Sequence, residues 1–431
     1  MDTSYIHKQL IFTTTECEIV GARTPPGEDT KGNFVVIKDK DTNFLVSFIA
    51  DGHSGIDASN IVKSNIEKLF HITFHKYSME CMDDFMIKAI TDINLQLIKL
   101  INKCNSGTTL TFTITLLSII DDIDKDNLRI WAFVLGDSQY MISHNKVILP
   151  NVVKGKYDIE TKEYKEYDLD GVSIIQAVTG SFEFDVGLPL LKKYLTFKDI
   201  EEYGITMKNG NLHQVKDVIL HNEKYKKLLL PSNTHFKLAD DSNILQCLRS
   251  LEPSHYQTIQ KGIIDFICID RKYINGLNIT TFCDGFLDNN CFTETDIAIL
   301  MNREKFLEYI TNIKFFRESM FYKKVLSTPH HVKNILNMFK ININDERFIK
   351  DYDPIEFFEW LHILFTNVFK YFKCFDIDWR RSINEAFEYF KKRLPYIIIG
   401  SEINIEDIAY LASLRGSADN VSGSNTSFRI E

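Results

Sequence analysis

Residues 44–55 read FLVSFIADGHSG, an apolar run that delivers Asp51, Gly52 and His53 directly from its end. Short runs of β-branched and aromatic residues bounded by polar, turn-forming residues mark strands. Upstream, FVVI at 34–37 is separated from this run by the turn-like KDKDTN, so two antiparallel strands are expected. Downstream, Ala58, Ile61, Val62, Ile66, Leu69 and Phe70, then Met86, Ile90, Ile93, Leu97 and Leu100, recur at helical spacing and predict two amphipathic helices. After Gly107 the strand pattern returns, with TTLTFTITLLSII and LRIWAFVLGDSQYMIS on either side of a polar turn.

The rest of the chain divides more coarsely. Residues 151–260 alternate charged stretches such as KGKYDIETKEYKEYDLD with short apolar pieces, and predict loops, some strand and a few short helices. A strand pair is expected at 263–270 (IIDFICID) and 277–283 (LNITTFC). From about 293 to 413 the pattern is helical, with Asp353, Pro354 and Glu356 fitting N-cap, N1 and N3 of a capping box. The segment that follows, IEFFEWLHILFTNVFKYF, is apolar around most of its circumference and predicts a helix buried between other elements.

Composition narrows the class. Across 431 residues, 44% hydrophobic and 25% charged content is that of a globular chain. A formal charge of -9 disfavours a nucleic-acid partner, which needs a basic surface. The opening MDTSYIHKQLIFTTTECEIVGA lacks a charged stretch followed by a long apolar one, and no segment approaches the roughly 20 apolar residues of a membrane span. The eight cysteines form no C-x-x-C pair and read as reduced thiols, which argues against structural zinc and for a cytoplasmic protein. No repeat, low-complexity tract or Gly/Ser linker interrupts the sequence, so one domain over residues 1–431 is expected.

Acidic residues recur in one design, at the end of an expected strand or just after a helix and beside glycine or asparagine. They are Glu28 and Asp29 in PPGEDTKGNF, Asp51 in FIADGHSG, Asp137 in FVLGDSQYM, Asp284 in TFCDGFLD and Asp419 in RGSADNVS. Taken singly, each is the sequence of a turn. Together, carboxylates this close to core strands cost several kcal/mol each unless paired or bound to metal, and few lysines or arginines adjoin them. A hard divalent cation such as Mg²⁺ or Mn²⁺ is the partner they suit. Two such ions sharing a carboxylate would lower the pKa of a bound water and stabilise charge on a phosphoryl oxygen. His53 would then supply a proton to the leaving alkoxide, and Arg23 a bidentate contact to the phosphate.

In their order along the chain these pieces resemble the metal-dependent PP2C-type (PPM) serine/threonine protein phosphatases. GARTPPGED is similar to the family's opening G-x-R…E-D motif, DGHSG to its D-G-H-G-G, and GTTLTFTITL to its G-S-T strand. VLGDSQYMI resembles G-D-S-R, LRSLEPSHYQTI the E-P-E segment, TTFCDGFLD the C/S-D-G-x-x-D motif, and IAYLASLRGSADNVS the terminal G-S-x-D-N-x-[ST]. The resemblance implies a four-layer α-β-β-α sandwich, two antiparallel sheets flanked by helices, with a divergent flap region at about 150–250 and a helical insertion at about 297–400. It also implies roles. Asp51 would bridge two ions, the Gly52 carbonyl would bind one of them, Asp284 and Asp419 the other, and Glu28 and Asp29 would hold the second ion directly or through water. His53 would be the general acid and Arg23 the phosphate anchor, while Asp137 with Asp288 would border a weaker third metal position. The chain departs from the family pattern in three places: Arg23 stands five residues before Glu28, Ser54 replaces a glycine, and no S-R-A-x-G-D segment is present. SGSNTSFRIE is more polar than a closing core strand, which predicts an edge or frayed strand.

The expected function is hydrolysis of phosphoserine or phosphothreonine in a phosphorylated protein substrate. The alternative is an inactive relative acting as a binding or regulatory protein. The aromatic residues Phe357, Phe358, Trp360, Phe365, Phe369, Tyr371 and Phe372 read either as a docking groove or as a helical extension packed on the core.

Overall fold

The computed structural model describes residues 10–21, 27–53, 55–118, 124, 126–144, 152–169, 175–178, 250–251, 260–288, 291–311, 354–371, 377–417 and 419–430. Two antiparallel sheets form the centre. One has the strand order β10-β9-β12-β7-β6-β3-β2, from β2 (Thr30–Ile37), β3 (Asn43–Ala50), β6 (Leu110–Leu116), β7 (Asn127–Leu135), β9 (Val152–Asp158), β10 (Glu163–Leu169) and β12 (Ile263–Asp270). The other runs β1-β14-β13-β8-β11, from β1 (Leu10–Ile19), β8 (Gln139–His144), β11 (Ile175–Val178), β13 (Leu277–Phe282) and β14 (Val421–Ile430). A short ribbon pairs β4 (Gly52–His53) with β5 (Gly107–Thr108).

The period-two alternation of strand side chains builds the layers. On β3, Phe44, Val46 and Phe48 face helices α1 (Asp57–Lys76) and α2 (Met82–Ile101), packing with Val62, Phe70, Phe74, Ile90 and Leu97. Leu45 points the other way, into the apolar layer between the sheets with Ile130, Ala132, Ile142, Ile279 and Phe428. Beyond the second sheet, Met141, Phe282 and Val421 meet α3 (Glu294–Leu300), α4 (Arg303–Ile310), α5 (Pro354–Tyr371), α6 (Ile377–Ile399) and α7 (Ile405–Arg415). The expected α-β-β-α arrangement is the one observed.

Several local expectations need correction. The strands at 263–270 and 277–282 do not pair with each other: β12 lies between β7 and β9, and β13 between β8 and β14. A 3₁₀ turn, Arg271–Tyr273, carries the chain from one sheet to the other. The polar C-terminal segment is neither edge nor frayed, because β14 sits between β1 and β13 with Ser422, Ser424, Asn425 and Thr426 buried. The polar side chains of Ser424, Asn425 and Ser427 bond laterally. Thr280 Oγ1 donates to Asn425 Oδ1 (2.8 Å), Ser427 Oγ to Asn278 Oδ1 (2.6 Å), and Ser424 Oγ to Asn33 Oδ1 (2.9 Å). The charged stretch KGKYDIETKEYKEYDLD, in the region expected to hold loops, some strand and a few short helices, contributes the β9–β10 hairpin at a sheet edge, where charged residues guard against further pairing.

Helix α5 is less enclosed than its composition implies: Phe358 and Leu361 are buried, whereas Ile363 is 55% exposed. Pro354 does open the helix; Asp353, its expected N-cap, lies outside the described residues. Phe358 packs on Phe387 and Phe390 of α6, as a packed extension requires, and the side chains of the other aromatic residues named above lie outside the described residues. Most of 150–250 lies outside them as well. Among the described residues, no helix is long and apolar enough to cross a membrane.

Candidate metal centre

Loops at one end of the two sheets bring the acidic residues together. Asp51 leaves the end of β3 and is locked by its backbone: its carbonyl accepts from Thr109 N–H and Thr108 Oγ1–H (both 2.8 Å), and its N–H donates to Thr109 Oγ1 (3.2 Å). Thr108 is itself held by Gly52 on one side and Leu251 on the other. Gly52 must be glycine, because a Cβ there would overlap the backbone carbonyl oxygen of Glu28. This close approach fixes the turn carrying Glu28 and Asp29 against the Asp51–His53 strand. Glu28 is reinforced by Gly55 N–H, which donates to its Oε1 (3.2 Å).

The second half of the cluster comes from the other sheet. Asp284 begins a 3₁₀ turn just beyond β13, and Asp419 precedes β14 by one residue, Asn420, whose N–H donates to Asp419 Oδ1 (2.8 Å). Gly285 also has no room for a Cβ, which would overlap the Asn420 carbonyl oxygen. Ser417 Oγ donates to the Gly285 carbonyl (2.7 Å), closing the two turns on each other.

Electrostatics records how tightly these groups converge. Burial raises Asp51 well above the ordinary carboxylate range, and the charges of Asp29, Asp284, Asp137 and Asp419 raise it further. Asp284 is likewise pushed well up by burial, then by Asp137 and Asp419. Desolvation lifts Asp29 to about 7, partly offset by the neighbouring Ser422, Asp51 and Cys283 side chains. Glu28 is raised by burial and by Asp419, with Gly55 N–H and His53 pulling it back. Carboxylates clustered and desolvated in this way are stable only with protons or a cation between them.

The donor set fits a hard cation. Asp29 is 4% exposed, and its Oδ2 has no hydrogen-bond partner among the described residues. Ligand atoms of Asp29, Asp51 and Cys283 lie within 4.8 Å of one another. The sulfur is already engaged, donating to the Asn420 carbonyl and accepting from Ser422 N–H (both 3.2 Å), and burial pushes its pKa far up. Cys283 is therefore a protonated neighbour, while the carboxylate oxygens are the ligands that Mg²⁺ or Mn²⁺ would take.

Of the residues singled out from sequence, Glu28, Asp29, Asp51, Asp137, Asp284 and Asp419 are brought together, with Gly52 and His53 on the short ribbon beside them. Asp288 sits one turn beyond Asp284, half-buried, its carbonyl accepting from Cys291 N–H (3.0 Å). Arg23 lies outside the described residues. Sequence reasoning assigned no role to Thr108, Thr109, Cys283 or Asn420, although each lies within a recognised motif. Cys283 and Asn420 stand beside an acidic residue and Thr108 and Thr109 follow Gly107, positions that do not reveal which backbone groups they hold.

No family model matches the sequence, and no curated protein matches it. Solved structures with a similar chain path include a C. elegans sex-determining protein, at 12% identity and a TM-score of 0.42, the match covering 96% of this chain and 64% of that one. Another is the serine/threonine phosphatase Stp1 from Staphylococcus aureus, at 11% identity and a TM-score of 0.38 with 100% of both chains covered. A third is the catalytic domain of the serine threonine protein phosphatase PstP, a complex with two manganese ions, at 11% identity and a TM-score of 0.34, covering 97% of this chain and 99% of that one. In the order of its acidic motifs, and in its paired antiparallel sheets between helical layers, the chain resembles the PPM-type serine/threonine phosphatases.

Proposed function

We propose that this protein is a metal-dependent phosphatase that hydrolyses phosphoserine or phosphothreonine in proteins. The observation that carries the reading is the convergence of carboxylates from segments far apart in sequence, the buried Asp29 and the half-buried Asp51, Asp137, Asp284 and Asp419, on one end of the two sheets. Asp51, the Gly52 carbonyl, Asp284 and Asp419 would hold two Mg²⁺ or Mn²⁺ ions, with Glu28 and Asp29 completing the set and Asp137 and Asp288 bordering a weaker third position. When bound, such ions supply a water nucleophile at neutral pH and positive charge for a phosphoryl oxygen.

The chain's own residues do the rest. Thr108 and Thr109 hold the Asp51 backbone from both sides, so its carboxylate is presented without reorganisation. Burial excludes competing water from Asp29. His53 follows two residues after Asp51, close enough to Glu28 to feel its charge, and would hold the proton that the leaving serine or threonine oxygen takes up. Arg23 is the candidate phosphate anchor, from its place in the opening motif.

The test is phosphate release from a phosphothreonine peptide. Turnover is expected with Mn²⁺ and none after EDTA. Turnover that persists undiminished in EDTA rejects the metal-dependent mechanism. Mn²⁺ binding without release from phosphoserine or phosphothreonine peptides would favour a regulatory binding protein instead.

A further inference from the structure

We propose that Cys283 is a positioning residue that sets the separation of Asp284 and Asp419 by clamping the end of β13 to the start of β14. The inference rests on the metal-dependent reading above and assigns a further residue to it. The Cys283 thiol donates to the Asn420 carbonyl and accepts from Ser422 N–H (both 3.2 Å), while Cys283 N–H donates to the Ser422 carbonyl (3.0 Å). Asp284 is the next residue on one side of this clamp and Asp419 precedes Asn420 on the other, so the sulfur spans the two carboxylate-bearing turns. Asn420 is held from three directions. Its carbonyl is wedged between the Cys283 sulfur and Gly285, its N–H donates to Asp419 Oδ1 (2.8 Å), and its Oδ1 accepts from Gly21 N–H (2.9 Å). Gly21 lies two residues past the end of β1, so Asn420 also ties the end of that strand to the Asp419 turn.

A thiol suits the place because it donates once and accepts once, with a long reach, among buried groups. Removing it leaves the Asn420 carbonyl and Ser422 N–H without that partner in the core, and both turns can relax to recover one. Supporting groups behind metal ligands lower affinity by about 10- to 100-fold when lost.

The experiment is an equilibrium Mn²⁺ titration followed by electron paramagnetic resonance, on wild type, Cys283→Ala and Cys283→Ser, with turnover measured across the same Mn²⁺ range. Cys283→Ala is expected to bind Mn²⁺ about 10- to 100-fold more weakly, with turnover recovered by excess Mn²⁺. Cys283→Ser keeps a donor and an acceptor and is expected to stay within about threefold of wild type. Equal affinity in wild type and Cys283→Ala overturns the positioning role and leaves the metal reading intact. Failure of wild type to bind Mn²⁺ overturns the metal reading itself. Should Cys283→Ala lose its folded circular dichroism spectrum, Cys283→Ser decides, since a loss of about tenfold or more in a variant that keeps both bonds removes the clamp as the cause.

Discussion

Asp29 and Asp51 are placed where a carboxylate is costly. Both are desolvated, both face other carboxylates, and Asp29 Oδ2 is buried without a hydrogen bond among the described residues. The sign of the resulting pH dependence follows directly. Asp29 rises from 3.8 to about 7, and Asp51 and Asp284 rise well above the same starting value, so the folded state binds more protons than the unfolded chain. The Asp29 contribution to the stability of metal-free protein is fully present below about pH 4 and is lost as pH rises through about 7, and the contributions of Asp51 and Asp284 fall in the same direction as pH rises. Thermal melts in EDTA between pH 4.5 and 7.5 should therefore show the melting temperature falling with pH, and Mn²⁺ should offset the fall. A flat or rising profile would mean the carboxylates are not desolvated together. Asp51→Asn removes one charge from this cluster at nearly constant shape. It should lower turnover by more than about 100-fold, beyond the loss typical of supporting groups, yet melt in EDTA at or above the wild-type temperature. Wild-type turnover in this variant would remove Asp51 from the site.

At the scale of elements, the site depends on strands ending in register at one end of two sheets. The ends of β3 and β13 and the start of β14 each carry an aspartate, and β14 is the strand whose character was least legible. Its sequence is polar because its side chains bond sideways to Asn33, Asn278 and Thr280, partners far off in sequence that no local pattern reveals. Asn425→Leu keeps the branched shape and removes the acceptor for Thr280 Oγ1, leaving a buried donor unmet. A destabilisation of about 1–3 kcal/mol is expected, read as a shift of the urea midpoint without a change in slope. No shift would show that this lateral bonding does not support β14. The pairing of 263–270 with 277–283 failed for a related reason. Adjacent runs of β-pattern residues usually pair, and nothing in the connecting residues announces the 3₁₀ turn that moves the chain between sheets. By contrast α1 and α2 were readable, because one apolar stripe per helix follows from spacing alone.

For the whole molecule, the acidic motifs and their convergence were expected from sequence while the geometry of the cluster was not, since the contacts arise only when both sheets are stacked. What the motif order contributed was the expectation that Asp51, Asp284 and Asp419 belong to one site. The supporting residues Thr108, Thr109, Cys283 and Asn420 emerge from backbone geometry instead. A ligand that binds only the folded state stabilises the entire chain, by about 2.7 kcal/mol at a hundredfold excess over its dissociation constant. Saturating Mn²⁺ should therefore raise the melting temperature of wild type by several degrees and that of Asp51→Asn by much less. Equal rises in both would place the ion elsewhere.

The most direct test is anomalous scattering from a crystal grown with Mn²⁺. Manganese peaks are predicted among the carboxylates of Asp29, Asp51, Asp284 and Asp419; peaks found only elsewhere, or these side chains separated and facing solvent, would contradict the account.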